Sequence, residues 1–272
     1  MSLIHPTAVI DSHAQIETDV QVGPYCVVGH DVSIASGTKL MSHVVLDGWT
    51  SIGKQCTIFP FASVGTQTQD LKYRGAKTHV KIGERTTIRE YVTVNSGTTE
   101  EESTTVGNGC HIMAYSHIAH GCIVGNEVIM ANCATLAGHI IVQDQAIIGG
   151  LSAVHQFTRI GRLCMIGGCT RVSQDCPPFT MVVGNPGLAR GLNRVGMKRR
   201  NMSADAMRTM KEAYRILYRQ ALPTRRAVET IRTQLTMCPE LEMLLTFIEG
   251  SKRGIVRARS EKKGLVASEA DE

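Results

Sequence analysis

The most regular feature of the chain is an aliphatic residue that returns at every sixth position. The series begins at Ile4 and continues with few interruptions to Val172. A small side chain follows four residues later at most of these positions, as at Ala8, Cys26 and Thr170. A period of six matches neither an α-helix, with 3.6 residues per turn, nor a two-sided strand. It is typical of hexapeptide repeats, so the sequence predicts a mostly β structure, a parallel β-helix of stacked coils.

Two polar segments interrupt the repeat, near residues 66–79 and 97–105. Insertions in solenoids form loops on one face, which is often the binding face. The repeat stops at Cys176-Pro177-Pro178, because proline cannot donate a hydrogen bond to a β ladder. We therefore predict that the β-helix, with its two loop insertions, forms a first domain over residues 1–192.

From Asn193 onward the hydrophobic pattern becomes helical and predicts a small C-terminal α-helical domain over residues 193–256. The remaining segment, 257–272, is predicted to be a disordered tail. Three helices are expected from their end signals: Ser203 as the cap of residues 204–220, Thr224 as the cap of a helix to about Leu235, and Pro239 and Gly250 as the first residue and the stop of the third.

Composition agrees with a narrow core, since 43% of residues are hydrophobic but only 4% are aromatic. There is no apolar run of 18 residues and no room for a signal peptide before the repeat, so we expect a cytoplasmic protein that does not cross a membrane. The chain has nine cysteines. Six of them fall on the small-residue position and are predicted to be buried, reduced thiols: Cys26, Cys56, Cys110, Cys122, Cys164 and Cys176.

Charge is distributed unevenly along the chain. Residues 193–272 contain 17 Lys+Arg and 10 Asp+Glu, a balance of +7, whereas the whole chain has +5. The basic excess is either a solvated surface or an attraction for an acidic partner. Nucleic acid is not the expected partner, because the basic residues are not interleaved with aromatic ones and no nucleic-acid-binding motif is present.

Several histidines share one position of the repeat. If three hexads form one coil, residues 18 apart are stacked on one edge of the solenoid. By this arithmetic one strip collects five polar side chains, namely His117, His120, His139, His155 and Gln156. The other six histidines are interpreted as surface residues outside the strip. Such a strip suits general base catalysis or a zinc site, because imidazole can do both. The γ-class carbonic anhydrases are hexapeptide β-helices that bind zinc with three histidines, so both chemistries stay open at this point.

A set of motifs resembles one family of hexapeptide-repeat acyltransferases, the UDP-N-acetylglucosamine O-acyltransferases of lipid A synthesis. The resemblance extends from residue 4 to about residue 255. It rests on His117-Ile118-Ala119-His120, Leu136-Ala137-Gly138-His139, Ala153-Val154-His155-Gln156-Phe157, Gln69-Asp70-Leu71-Lys72-Tyr73 and Gly196-Met197-Lys198-Arg199-Arg200.

The resemblance implies a left-handed β-helix that forms a homotrimer with active sites between subunits. It also implies transfer of a 3-hydroxyacyl chain from acyl carrier protein to the 3-hydroxyl of UDP-N-acetylglucosamine, without a metal or another cofactor. In this family the position of His120 is the general base, and the N–H at the position of Gly138 faces the developing oxyanion. The position of Gly168 limits acyl length, and a glycine there leaves the groove open.

Further residues match the binding positions of the family. Those that match sugar-nucleotide and pocket residues are Asp70, Lys72, His117, His139, His155 and Gln156. Those that match residues near the UDP phosphates and the carrier surface are Asn193, Arg199 and Arg200. Arginine suits forked contact with phosphate, and a basic helical domain suits an acidic carrier protein.

The chain departs from the family pattern at three positions. Gly121 follows His120 where the family often has Asp, Asn95 replaces a histidine, and Val195 replaces a glutamate. These changes leave open what orients His120 and whether the acceptor carries a 3-hydroxyl or a 3-amino group. Another alternative is the sister N-acyltransferase of the same pathway, which usually has an additional N-terminal uridine-binding domain.

Overall fold

The computed structural model describes residues 3–258, in which short strands wind into a β-helix and helices follow. The strands are, in chain order, β1 (Val9–Ile10), β2 (Gln15–Ile16), β3 (Gln21–Val22), β4 (Val27–Val28), β5 (Ser33–Ile34), β6 (Lys39–Leu40), β7 (Val45–Leu46), β8 (Trp49–Ile52), β9 (Thr57–Ile58), β10 (Ser63–Val64), β11 (His79–Ile82), β12 (Thr87–Ile88), β13 (Thr93–Val94), β14 (Ser103–Val106), β15 (His111–Ile112), β16 (His117–Ile118), β17 (Ile123–Val124), β18 (Ile129–Met130), β19 (Thr135–Leu136), β20 (Ile141–Val142), β21 (Ile147–Ile148), β22 (Ala153–Val154), β23 (Arg159–Ile160), β24 (Met165–Ile166), β25 (Arg171–Val172), β26 (Thr180–Val183) and β27 (Leu188–Leu192).

Every third strand belongs to the same sheet, so three parallel sheets form the faces of a prism. Sheet 1 runs from β1 to β25, sheet 2 from β2 to β23, and sheet 3 from β3 through β24 to β26 and β27. The last pair, β26 and β27, is antiparallel and closes the stack. The architecture is a left-handed parallel β-helix, which confirms the predicted fold class.

The register of the coils confirms the 18-residue period. His117 pairs with Thr135, and Thr135 pairs with Ala153. Two coils are longer, because Trp49 pairs with His79 and His79 with Ser103, spacings of 30 and 24 residues. These two coils contain the insertions that the sequence predicts near 66–79 and 97–105.

The aliphatic positions of the repeat fill the inside of the prism. From Val22 to Val172 each of them is at most 3% exposed. Burial of each such side chain stabilises the fold by ~1.5–3 kcal/mol before the entropy of ordering is subtracted. The six predicted cysteines are buried among them, and burial raises the pKa of the Cys110 thiol to about 11 and that of Cys122 to about 12.

The three edges of the prism carry different side chains. The histidine edge, between sheets 1 and 2, contains His120, Gly121, Gly138, His139, Gln156 and Phe157. The aromatic edge, between sheets 3 and 1, carries a column of stacked rings at Tyr25, His43, Phe61, Tyr91 and Tyr115. The third edge, between sheets 2 and 3, contains Glu127, Gln145 and Arg162.

The C-terminal domain contains four helices: α1 (Arg194–Arg199), α2 (Ala204–Arg219), α3 (Thr224–Gln234) and α4 (Pro239–Glu249). Ser203 caps α2 through its side chain, and Pro239 and Gly250 bound α4, as predicted. Thr224 was expected to cap α3, which is wrong. It is the first helical residue, after Pro223, and its side chain makes no cap hydrogen bond. The short helix α1 was not among the three predicted helices.

The end of the described chain returns to the β-helix. The Ala189 N–H donates to the carbonyl of Arg257, and Ala258 forms a bridge with Ala189. The first two residues of the segment that we predicted to be a disordered tail are therefore paired, and residues 259–272 lie outside the described part. Within residues 3–258, no helix is long and apolar enough to cross a membrane.

Candidate active site

His120 lies on the histidine edge where the chain turns from β16 to β17. Its imidazole lies over Gly138 of the next coil. A Cβ added to Gly138 would lie 2.4 Å from both Cε1 and Nε2 of His120. The ring can occupy this position because residue 138 has no side chain.

The two ring nitrogens of His120 have different surroundings. Nδ1 is buried and has no hydrogen-bond partner among residues 3–258. Nε2 faces the loop and lies 3.8 Å from Oδ2 of Asp70. Burial lowers the pKa of His120 and His139 lowers it further, whereas Asp70 and Glu102 oppose the change. Nε2 is therefore the nitrogen available for proton transfer, and the neutral base is favoured.

The first insertion brings Asp70 to His120. Oδ1 of Asp70 accepts a hydrogen bond from the Lys72 N–H, which lowers the pKa of Asp70, so the carboxylate is charged. The loop is anchored at its start by Asn95, whose Nδ2 donates to the carbonyl of Gln67. Asn95 stands where the family has histidine, and here it fastens the loop that carries Asp70 and Lys72.

The second insertion brings Glu102 to His139. Oε1 of Glu102 lies 3.1 Å from Nδ1 of His139. The His139 ring is stacked on Phe157, with centroids 4.9 Å apart and an interplanar angle of 2°. Its edge meets His120, with centroids 4.8 Å apart and an angle of 86°. Glu102, Phe157 and His120 thus hold His139 on three sides.

The other predicted pocket residues follow the same edge. His117 precedes His120 in β16; its Nδ1 lies 2.7 Å from Oγ1 of Thr93, and burial lowers its pKa. His155 and Gln156 belong to a later coil and are exposed. Nδ1 of His155 lies 3.4 Å from the guanidinium of Arg253, which follows α4.

A free backbone donor lies next to His120. In the described part of the chain, no atom accepts a hydrogen bond from the Gly138 N–H. A donor of this kind can stabilise negative charge that develops on a carbonyl oxygen during acyl transfer. The arrangement therefore offers a neutral imidazole, a nearby carboxylate and a free N–H, which are the components needed for attack of a hydroxyl or an amine on a thioester.

Four of the predicted residues lie away from the histidine edge, three of them at helix α1 and one on the aromatic edge. Asn193 caps α1 through its side chain and donates from Nδ2 to the carbonyl of Leu163. Arg199 ends α1 and is exposed. Arg200 forms an ion pair of 2.6 Å with Glu127 on the third edge. Gly168 lies on the aromatic edge, where an added Cβ would meet only the carbonyl of Gly150, at 3.4 Å.

A group of donors with the spacing of a metal site also belongs to the histidine edge. Glu102, His120 and His139 each offer one atom, and these lie within 4.8 Å of one another. The distance of 3.1 Å between Glu102 and His139 is that of a direct hydrogen bond, so this pair is satisfied without an ion. A second such group, Asp11, His13 and His30, is exposed.

Sequence reasoning missed two features of this edge. His13 and His30 were placed outside the strip, which is wrong: they occupy the same edge in the first coils, where their rings stack 4.2 Å apart. Glu102 was not singled out, although it lies in a predicted insertion. The only signal was the position of that insertion, next to the coil that carries His120.

Comparison with known proteins supports the resemblance. Residues 175–256 match the family model described as UDP N-acetylglucosamine O-acyltransferase, domain 2, and residues 103–138 match the bacterial transferase hexapeptide model. A protein of Thermodesulfovibrio yellowstonii named acyl-[acyl-carrier-protein]--UDP-N-acetylglucosamine O-acyltransferase is 51% identical, with 94% of this chain and 100% of that protein aligned. A protein of the same name from Psychrobacter is 46% identical, over 94% of this chain and 100% of its own.

Solved structures agree with the sequence relatives. LpxA from Acinetobacter baumannii is 44% identical, with a TM-score of 0.91 over 94% of this chain and 100% of that one. The acyltransferase LpxA from Bacteroides fragilis is 37% identical, with a TM-score of 0.91 over 93% and 100%. Together with the His120 site, these similarities identify the chain as a member of the UDP-N-acetylglucosamine O-acyltransferase family of hexapeptide-repeat proteins.

Proposed function

We propose that this enzyme transfers a 3-hydroxyacyl chain from acyl carrier protein to the 3-hydroxyl of UDP-N-acetylglucosamine, the first step of lipid A synthesis. The observation that carries the proposal is the position of the His120 imidazole over Gly138, with its Nε2 facing Asp70 and a free N–H beneath it. The names of relatives that are aligned over their whole length support the choice of substrates.

In the proposed reaction, His120 Nε2 removes the proton from the sugar hydroxyl as its oxygen attacks the thioester carbonyl. The Gly138 N–H donates to the carbonyl oxygen while it carries negative charge. The carbon–sulfur bond then breaks, and the thiol of the carrier leaves with the proton that His120 had taken. The ester forms without a net change in charge, and no cofactor is required.

We further propose that three chains form the working enzyme, with each site between two of them. The proposed site residues of one chain lie at all three edges: His120 on the histidine edge, Gly168 on the aromatic edge, and Arg200 at the end of α1, where it pairs with Glu127 of the third edge. One chain cannot direct them into a single pocket, whereas neighbouring chains can. The exposed rings of the aromatic edge, such as Phe61 and Tyr91, support a contact between copies, because exposed apolar surface of this extent is typical of interfaces.

We propose that Asp70 and Lys72 bind the sugar nucleotide with His117, His139, His155 and Gln156, and that the basic surface around Arg199 and Arg200 meets the carrier protein. A reducing cytoplasm suits the six buried thiols. The 3-hydroxyl of the sugar is the proposed acceptor group. The alternative is an acceptor with a 3-amino group, because Asn95 departs from the family pattern.

The test is an acyl-transfer assay with purified enzyme, UDP-N-acetylglucosamine or its 3-amino analogue, and a panel of acyl carrier protein thioesters. We expect ester formation with 3-hydroxyacyl donors and loss of ~10²–10⁴-fold activity in His120→Ala. With acyl carrier protein well below its KM for Arg200→Ala, mixed trimers of His120→Ala and Arg200→Ala should be more active than either variant alone if each site uses two chains. Transfer by His120→Ala within a few-fold of the wild type would contradict the role of the base, and a monomer by sedimentation would contradict the shared site.

A further inference from the structure

Glu102 joins the second insertion to the histidine edge. Its Oε2 accepts hydrogen bonds from the backbone N–H groups of Thr98, at 2.5 Å, and of Thr99, at 3.1 Å. Its Oε1 lies 3.1 Å from Nδ1 of His139, and the side chain is only 16% exposed. The carboxylate is therefore fixed by the loop on one side and directed at His139 on the other.

The contact decides which nitrogen of His139 carries a proton. A charged carboxylate can only accept, so Nδ1 of His139 must donate to Glu102. The stacked ring of Phe157 and the perpendicular ring of His120 restrict the orientation of the same imidazole. Glu102 thus sets both the tautomer and the position of the ring that lies against His120.

The pair of Glu102 and His139 occupies the space that a side chain at residue 121 would need. A Cβ added to Gly121 would lie 2.5 Å from Oε1 of Glu102 and 2.5 Å from Nδ1 of His139. Gly121 also has a φ of +64°, which disfavours other residues. An aspartate at position 121, where the family often has one, could therefore not coexist with the Glu102–His139 contact in its present position.

We propose that Glu102 is a positioning residue of the acyltransferase, which acts on His120 by holding His139 in one tautomer and in one orientation, perpendicular to the His120 ring. This rests on the proposed role of His120 as the base. His120 has no partner of its own on Nδ1 within residues 3–258, so the ring beside it and the glycine below it determine its orientation.

The charged groups around His120 also connect Glu102 to the pKa of the His120 imidazole. Burial lowers its pKa, and His139 and Lys72 lower it further, whereas the carboxylates of Asp70 and Glu102 raise it. His117, in β16 just before His120, is a further titratable neighbour, and His120 lowers the pKa of His117. Removal of the Glu102 charge therefore allows the pKa of His120 to fall further, and the acid limb of the rate profile should move to lower pH.

The first test is Glu102→Gln. Its carbonyl can still accept from Thr98 and Thr99, but its amide now donates to Nδ1 of His139 and reverses the tautomer. We expect kcat to fall by ~10-fold or more, since part of the ~10²–10⁴-fold contribution of the base depends on its surroundings. The acid limb of kcat/KM should shift to lower pH.

The matched control is Glu101→Gln. Glu101 precedes Glu102 in the same loop, but its carboxylate pairs with Lys77 and His79, away from His120. This variant removes the same charge from the loop and should keep the kcat and the pH profile of the wild type. Thermal melting and sedimentation of both variants exclude a change of fold or assembly as the cause.

The second test is Gly121→Ala, which displaces the pair without a change in charge. Both substitutions disrupt the same contact between Glu102 and His139. The loss of kcat in the double variant Gly121→Ala, Glu102→Gln should therefore equal that of the more impaired single variant, rather than the product of the two single losses. An unchanged pH profile with only a higher KM in Glu102→Gln, or fully additive losses, would overturn the proposal. If His120→Ala remained active, the proposed base itself would be wrong, and this result is distinguishable from a failure of Glu102 alone.

Discussion

Two residues without a side chain, Gly121 and Gly138, shape the site around His120. Each leaves space that an imidazole or a carboxylate of a neighbouring coil fills. The usual interpretation of a glycine in such a motif is flexibility or a free N–H. Here glycine is also required for steric reasons, because a single methyl group at either position would collide with a histidine ring.

Replacement of Gly138 by alanine should therefore act as a displacement of the base. The added Cβ would lie 2.4 Å from Nε2 of His120, so the ring must move. A misplacement of about 1 Å can cost ~10²-fold in rate, and we expect a loss of this size in kcat with melting close to the wild type. Gly191→Ala is the control, since an added Cβ there meets nothing within 4 Å. Activity of Gly138→Ala equal to that of the control would contradict the steric reading.

The pH dependence of the wild type follows from the surroundings of His120. A general base works when it is deprotonated, so kcat/KM falls as the pH decreases through the pKa of His120. Burial lowers this pKa, and the acid limb should therefore lie below the ordinary value of ~6.5 for histidine. The measurement is a profile of kcat/KM with subsaturating sugar nucleotide. A limb at or above the ordinary value would show that another group titrates.

At the level of strands, loops and helices, the sequence predicts the regular parts well for a physical reason. Each hexad repeats the same local environment, so Val22 and Val172 are buried for the same cause. The ends of α2 and α4 were predictable because caps are local signals. The contact of Glu102 with His139 was not predictable, because Glu100, Glu101 and Glu102 are chemically alike. Only the folded loop determines which of the three reaches His139.

The attachment of the helical domain depends on one buried carboxylate. Asp175 is 1% exposed; its Oδ1 accepts from the Arg159 N–H, and its Oδ2 accepts from the hydroxyl of Ser251, after α4. Arg159 also lies over the ring of Phe247, at 4.2 Å. The carboxylate thus links the last coils to the segment that follows the helices.

Asp175→Ala should lower the free energy of unfolding by about 2–4 kcal/mol, since it leaves buried donors without an acceptor and removes the carboxylate that lies 3.9 Å from the Arg159 guanidinium. Denaturant unfolding followed by circular dichroism measures the difference. Asp205→Ala is the control: Asp205 forms an exposed pair with Arg208 and should change stability by less than ~1 kcal/mol. A loss no larger than that of the control would mean that the helical domain is held by its apolar contacts alone.

For the whole molecule, the basic C-terminal part should govern recognition of the acidic carrier. Replacement of Arg199 and Arg200 by alanine should raise the KM for acyl carrier protein, and salt should weaken the wild type in the same direction, because the Debye length is only ~8–10 Å at physiological ionic strength. Arg225 and Arg226, exposed on α3, give a control double variant with the same change in charge.

The affinity for UDP-N-acetylglucosamine must be measured separately, since Arg199 and Arg200 are also proposed near its phosphates. An unchanged carrier KM in the Arg199 and Arg200 variant, together with indifference to salt, would move the docking surface to the β-helix.

Because one coil has 18 residues, the length of a deletion decides which face of the prism each strand joins. Val27 pairs with Val45, so a deletion of residues 27–44 joins Cys26 to Val45 and keeps every later side chain on its own edge. A deletion of only residues 27–32 joins Cys26 to β5, on the next face, and rotates the N-terminal coils by a third of a turn relative to the rest. The smaller deletion therefore does the greater damage, because it carries Tyr25 away from the column of Phe61 and Tyr91. Within the regular coils, length can change only by whole coils without rotating one part of the prism against the other, whereas the two insertions leave the ladder as loops and keep the register on both sides.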